Sequence, residues 1–130
     1  GIAYGSSEAA FQAQKTLDVE KRKYFGTLDP SKSKREGRRL VDLRSDWDGV
    51  KDKVMFEIVM AKFIQNPQLA DKLLATKDMT LVEGNGWNDR YWGMDYDCTV
   101  GRNRLGKTLM LVRENIYMIR MTHDSEESVL

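Results

Sequence analysis

In the stretch from Trp47 to Gln65, apolar residues recur at roughly helical spacing. Ser45 or Asp46 can cap its start, because such side chains accept a hydrogen bond from a free amide at a helix N-terminus. The pattern therefore predicts a long central core helix over residues 47–65. Its apolar positions at roughly helical spacing are Val50, Val54, Ile58, Ala61 and Phe63.

Two prolines mark further helix starts on either side of this stretch. Asp29-Pro30 opens a short basic segment, which we expect to form one or two helical turns up to Leu40. Asn66-Pro67 has the chemistry of a cap and first turn, so another helix should follow. That helix is expected to bury Leu69, Leu73 and Leu74.

The remaining elements are predicted from caps, glycines and apolar spacing. A first helix is expected from Glu8 to Tyr24, closing near Gly26. Residues 79–83 are predicted to form a strand, and residues 84–101 a long functional loop. A final amphipathic helix should precede a frayed acidic tail at residues 122–130. The apolar positions of that helix are Leu105, Leu109, Val112 and Ile116.

Length and composition favour one globular domain. The chain has 130 residues, of which 41% are hydrophobic and 32% charged. A chain of this size can bury roughly two thirds of its unfolded surface, enough for a core without disulfides or metals. We therefore predict a single domain over residues 1–130 of the α+β class, predominantly helical with a small β-sheet.

Composition also excludes several classes of function. No apolar run approaches the ~20 residues of a membrane span, and no signal peptide opens the chain, so we expect a cytoplasmic protein with no membrane partner. A single cysteine, Cys98, and a single histidine, His123, argue against Cys–His nucleophiles and zinc clusters. A net charge of +1 disfavours nonspecific nucleic-acid binding, although five basic residues within residues 32–39 leave a local phosphate site open.

The segment from Ser6 to Lys15 places an acid and an amine near an aromatic residue. On a continuous helix, Glu8 and Lys15 would lie within ~20° of one face and ~10 Å apart along the axis, with Gln12 beside them. The two charges could flank a small ligand. The alternative is an ordinary surface helix with two solvated charges and Phe11 in the core.

Several separated patches, taken together, resemble the NADAR domain family, also called YbiA-like. They occur in the family's order and spacing over nearly the whole chain. That family usually has an N-terminal strand and a small Ser-Asn-Phe/Tyr motif, so we expect this segment to be missing or truncated here. The matching patches are Ser7-Glu8, residues 11–15, Gly37-Arg38, Trp47, Val54-Met55, Lys62-Phe63, residues 81–83, Asp89, residues 91–93, residues 101–106 and Leu109-Met110.

The resemblance implies an N-glycosidase that hydrolyses a phosphorylated or ADP-linked ribosyl compound, with Glu8, Lys15 and Asp89 as catalytic residues. Phosphoribosyl pyrimidine intermediates of riboflavin synthesis and ADP-ribosylated guanine are both allowed as substrates. A carboxylate such as Glu8 would stabilise the positive charge that develops on the anomeric carbon, and Asp89 could transfer a proton. Lys15 could act as a covalent nucleophile, as an orienting cation or as an ion-pair partner. No cofactor and no metal are expected.

The resemblance also implies substrate contacts, and each has a structural alternative. Trp47 could stack on the leaving base or pack in the core, and packing is the favoured reading for Trp92. Arg38 could hold a phosphate. Asn103 could bind the ribose or, as we favour, cap the last helix. The expected substrate-binding residues are Phe11, Gln12, Arg38, Trp47, Trp92 and Asn103.

Two functions from other classes remain open at this point. One is a non-catalytic module that binds ADP-ribose or NAD-like ligands, and the other is an interaction domain without a small ligand. Turnover of ribosylated pyrimidines or ADP-ribosylated guanine would separate the enzyme from both.

Overall fold

Six helices and two short strands make up the part of the chain that the structure describes. The computed structural model describes the backbone of residues 1–129 and the side chains as far as Asp124, so Leu130 lies outside the described residues. The predicted class, mostly helical with a small sheet, is confirmed. In chain order the elements are α1 (Ser7–Ala13), α2 (Val19–Phe25), α3 (Pro30–Arg38), α4 (Trp47–Gln65), α5 (Pro67–Leu74), β1 (Gly84–Asn85), β2 (Met94–Asp95) and α6 (Arg104–Val129).

The first compact unit of the chain is Gly1–Ile58. Within it, α1 packs against both α2 and α3. Gly37 on α3 is buried, and the absence of a side chain there lets α3 approach α1 closely. The buried hydrophobic residues of this unit are Ala9, Phe11, Ala13, Phe25 and Trp47.

The second compact unit begins at Val59. Its helices α5 and α6 pack against each other. Strands β1 and β2 pair in parallel, with Gly84 opposite Met94 and Asn85 opposite Asp95. The buried hydrophobic residues of this unit are Val59, Ala70, Leu73, Val112 and Ile116.

The predicted continuous first helix is wrong, because α1 ends at Ala13 and α2 begins at Val19. Asp18 caps the start of α2 and so ends the non-helical segment after α1. Its carboxylate accepts hydrogen bonds from the amides of Glu20 and Lys21, at 2.9 and 3.3 Å, and so starts a new helix. Lys15 therefore lies in the turn after α1, and its predicted position on the same helical stripe as Glu8 is also wrong.

Two other predicted elements need correction. Residues 79–83 are not a strand; the strands lie at β1 and β2, inside the segment predicted to be one long loop. A run of β-forming residues makes a strand only where another chain segment pairs with it, and the pairing partner here is β2. The last helix also does not end near Thr122, since α6 continues to Val129.

The starts of α3, α4 and α5 were predicted correctly. Helix α4 spans the predicted residues 47–65, and α5 begins at Pro67. Helix α3 begins at Pro30 after Asp29, whose side chain accepts a hydrogen bond from the amide of Lys32 at 2.8 Å. Among the described residues, no helix is both long enough and apolar enough to cross a membrane.

Candidate active site

Glu8 lies in the first turn of α1, and Gln12, one turn further along the helix, forms a hydrogen bond to it. Ser6 caps the helix by accepting a hydrogen bond from the amide of Ala9 at 3.1 Å. Gln12 donates from Nε2 to Oε1 of Glu8 at 3.1 Å. Only 6% of Gln12 is exposed, so this bond is made by a buried side chain. Gln12, which was expected to lie beside Glu8, thus forms a hydrogen bond to it.

Lys15 lies in the turn after α1, and both its backbone amide and its backbone carbonyl form hydrogen bonds. Its amide donates to the carbonyl of Gln12 at 3.2 Å, and its carbonyl accepts from the amide of Arg44 at 2.7 Å. Burial lowers the pKa of the Lys15 amine below its ordinary value of 10.5, because a charged group is disfavoured away from water. The Glu8 carboxylate opposes this shift in pKa, and the Arg38 guanidinium adds to it.

Thr16 fastens the turn that carries Lys15, a role that sequence reasoning missed. Its fully buried hydroxyl donates to Oδ2 of Asp42 at 2.8 Å and accepts from the amide of Asp18 at 3.1 Å. Asp42 also pairs with Lys21 at 2.9 Å. These hydrogen bonds from Lys21 and Thr16 lower the pKa of the Asp42 carboxyl below its ordinary value. No local motif indicates a pairing across 26 residues.

Phe11 and Trp47 form a tilted aromatic pair, with ring centroids 5.1 Å apart and planes inclined by 57°. Both rings are almost completely buried, with exposed fractions of 5% for Phe11 and 7% for Trp47. The pair therefore belongs to the core of the first unit. Direct stacking of Trp47 on a substrate base stays a prediction.

The first unit thus brings together most of the predicted residues. Glu8 and Gln12 are hydrogen-bonded, Lys15 lies over the Phe11 ring, and Phe11 packs on Trp47. Arg38, at the end of α3, is exposed but acts electrostatically on Lys15. An acid, an amine whose pKa is lowered and a guanidinium consequently occur around one buried aromatic pair. Such a group offers charge stabilisation, a nucleophile and an anion contact.

Asp89 lies in the second unit, on the connection between β1 and β2. Its Oδ1 accepts hydrogen bonds from the amides of Tyr91 and Trp92, at 3.3 and 2.9 Å. Asn85, which is 2% exposed, holds the same loop by accepting from the Asp89 amide and donating to its carbonyl. Sequence reasoning missed Asn85, although the flanking Gly84 and Gly86 marked a tight segment there.

Asn103 and Trp92 also lie in the second unit. The Asn103 side chain accepts from the Glu83 amide and donates to the Leu81 carbonyl, both at 2.9 Å. These bonds join the segment before β1 to the start of α6. Capping of α6 by the Asn103 side chain stays a prediction. Trp92 meets Tyr91 edge to face, with ring centroids 4.9 Å apart. Contact of either residue with a substrate stays a prediction.

Two aspartates that lie in acidic stretches of the sequence, Asp46 and Asp97, have hydrogen-bond partners within the protein. Asp46 binds Arg44 through two hydrogen bonds of 2.6 and 2.9 Å, and Asp97 accepts from the Thr99 hydroxyl at 2.7 Å. Within the part of the chain that the structure describes, no three acidic, histidine or cysteine residues are grouped as a metal site.

A shallow hollow of about 380 Å³ lies beside the β1–β2 pair in the second unit. None of the predicted site residues lines it. Its lining residues are Asn85, Gly86, Asn88, Asp95, Tyr96 and Asp97.

Comparison with known proteins agrees with the resemblance found in the sequence. Residues 1–117 match the NADAR domain. The N-glycosidase YbiA of Escherichia coli K12 is 42% identical over 118 residues, which cover 89% of this chain and 72% of that protein. A protein named for riboflavin biosynthesis in Vibrio vulnificus is 41% identical over 118 residues, covering 89% of this chain and 32% of its own length.

The fold agrees as well. The NMR structure of E. coli YbiA superposes with a TM-score of 0.81 at 39% identity, covering 91% of this chain and 70% of that one. An N-glycosidase of Nostoc punctiforme is 47% identical over 74 residues, covering 57% of this chain and 46% of that protein. Since both sequence and fold match over about nine tenths of its length, the chain belongs to the NADAR family.

Proposed function

We propose that this NADAR-family N-glycosidase hydrolyses the N-glycosidic bond of a phosphorylated or ADP-linked ribosyl compound. Riboflavin-pathway phosphoribosyl pyrimidines and ADP-ribosylated guanine are the two candidate substrate groups. The observation that carries the proposal is the half-buried amine of Lys15, which has a lowered pKa and lies near the Glu8 carboxylate and over the Phe11 ring. Family membership supports the bond class.

Hydrolysis places the hydroxyl of water on the anomeric carbon and a proton on the departing base nitrogen. Bond breaking leaves positive charge on the sugar, and the Glu8 carboxylate stabilises that charge more in the transition state than in the bound substrate. Asp89 is proposed to deliver or accept the proton. Its Oδ1 is occupied by two backbone amides, so the proton transfer is assigned to Oδ2.

Lys15 has two proposed roles, which differ in the bonds they form. As a nucleophile, its neutral amine attacks the anomeric carbon while the base leaves with a proton. Opening of the sugar ring gives an imine, and water then releases the sugar and restores the amine. As an orienting cation, Lys15 forms no bond and only positions the substrate. The lowered pKa favours the nucleophile, because it raises the neutral fraction at any given pH.

Arg38 is proposed to bind the phosphate or diphosphate of the substrate. Its planar guanidinium suits two parallel hydrogen bonds to phosphate oxygens. It is exposed and ends α3. Phe11 and Trp47 are proposed to wall the site, and Trp92 and Asn103 stay proposed substrate contacts on the strength of the family resemblance.

Chromatographic assay of phosphoribosyl pyrimidines and ADP-ribosylated guanine nucleotides tests this function. Glu8→Gln and Lys15→Ala are compared with the parent, and Glu20→Gln and Lys53→Ala serve as matched controls because both side chains are largely exposed. We expect release of free base by the parent and the controls, with strong loss in the two site variants. Binding without turnover in the parent would instead support a ligand-binding module.

Borohydride trapping separates the two roles of Lys15. Borohydride reduces an imine to a stable amine, so a sugar adduct should appear on the peptide containing Lys15. An active parent that yields no adduct would leave Lys15 as an orienting cation.

A further inference from the structure

Gln12 combines deep burial with one polar atom that is bonded and one that is not. Its Nε2 donates to Oε1 of Glu8 at 3.1 Å. Its Oε1 is buried and has no hydrogen-bond partner among the residues described. A buried acceptor without a partner costs about 1 to 3 kcal/mol, whereas an apolar side chain of the same shape would avoid that cost.

The orientation of the Gln12 amide follows from its two neighbours. With the amide reversed, its oxygen would face the Glu8 carboxylate, and two acceptors would repel each other. On the other side lies Gly37, where any β-carbon would collide with the Gln12 amide. The amide is thus enclosed between Glu8 and the backbone of α3. Little of it is accessible to a substrate, since 6% of the residue is exposed.

We propose that Gln12 is a positioning residue that holds the Glu8 carboxylate in its working orientation, with Gly37 providing the space that the amide requires. This inference rests on the proposed function for its kinetic part. It replaces the expectation that Gln12 contacts the substrate. Burying Oε1 without a partner is then the energetic cost of keeping the Nε2 donor next to the Glu8 carboxylate.

The Gln12→Met variant tests the proposal, because methionine has a similar shape but no donor. We expect kcat to fall by about tenfold to a hundredfold, the range that corresponds to losing a hydrogen bond to a charged group. KM should stay within about twofold, and the free energy of unfolding should be unchanged or higher because the unpartnered oxygen is gone. Gln65→Met, an exposed position at the end of α4, is the matched control.

Two kinetic outcomes would overturn the inference. An unchanged kcat would show that Glu8 needs no support from Gln12. A raised KM with unchanged kcat would show that Gln12 binds the substrate directly.

Nitrogen-15 NMR tests the same hydrogen bond without turnover. The Nε2 protons of Gln12 should exchange with water more slowly in the parent than in Glu8→Ala. Equal exchange rates would overturn the inference even if the enzyme is active. A parent that turns over none of the substrates would overturn the proposed function, and the NMR comparison would still decide the role of Gln12.

Discussion

The amine nitrogen of Lys15 lies 5.9 Å from the centre of the Phe11 ring. Two opposing effects act on the charge at this position. The face of an aromatic ring attracts a cation, whereas burial disfavours one. The pKa of Lys15 is lowered, because burial, together with the Arg38 guanidinium, outweighs the nearby Glu8 carboxylate. At a given pH, a larger fraction of this amine is therefore neutral, and able to act as a nucleophile, than of an exposed lysine.

The first prediction concerns the pH dependence of activity. If the neutral amine of Lys15 reacts, kcat/KM should rise with pH and level off below the ordinary lysine value of 10.5, because its pKa is lowered. Lys15→Arg should lose at least about a hundredfold in kcat, since arginine stays charged. Initial rates across a pH series provide the measurement. Full activity in Lys15→Arg would contradict a nucleophilic role and favour an orienting cation.

The second prediction concerns stability against pH. Between the lowered pKa of folded Lys15 and 10.5, the unfolded chain holds the proton more tightly, so the free energy of unfolding should rise with pH. Below that window both states are charged, and the burial cost is present in full. Lys15→Met should remove the rise and be more stable than the parent at neutral pH. Urea unfolding of both proteins at several pH values measures the difference, and parallel curves would contradict it.

The third prediction concerns Gly37, where a β-carbon would meet the side-chain amide of Gln12. Gly37→Ala should lower the free energy of unfolding by about 1 to 3 kcal/mol, the usual cost of overpacking. Gly49→Ala is the matched control, because Gly49 lies in α4 with open space around its β-position. The control should gain about 0.4 to 1 kcal/mol. Urea unfolding measures both, and equal effects at the two sites would exclude the steric explanation.

The fourth prediction concerns Asn103, whose side chain joins the backbone of residues 81 and 83. Asn103→Gly should lower the free energy of unfolding by about 1 to 3 kcal/mol, because the Glu83 amide and the Leu81 carbonyl lose these partners. Glycine is chosen because Asn103 has a φ of 50°, which alanine would adopt only with strain. Asn115→Ala serves as the control, since glycine inside α6 would itself be destabilising. This variant should change the free energy of unfolding by at most about 0.5 kcal/mol. Thermal unfolding of the two variants compares these effects.

Local chemistry in the sequence predicted several elements well. Pro30 and Pro67 open α3 and α5, and α4 spans residues 47–65. These elements were predictable because prolines, caps and apolar periodicity act over a few residues. The grouping of Glu8 and Gln12 was also visible, since residues four apart on a helix are neighbours.

Other features depend on contacts between distant parts of the chain. The Thr16–Asp42 hydrogen bond spans 26 residues and holds the interruption between α1 and α2. Strand β1 forms where β2 pairs with it, displaced from the predicted residues 79–83. Local propensity identifies neither Asp42 as the partner of Thr16 nor β2 as the partner of β1.

The sequence by itself determined the family, the mainly helical class and the residue types proposed for the site, because caps, periodicity and motif spacing are local properties. Only the tertiary structure decided that Lys15 leaves the helix of Glu8, that its half-buried amine lies over Phe11, and that Gln12 is enclosed by Gly37. These three outcomes depend on which segments pack together. Burial and hydrogen-bond partners arise from that packing, and they set the pKa of Lys15 and the orientation of Gln12.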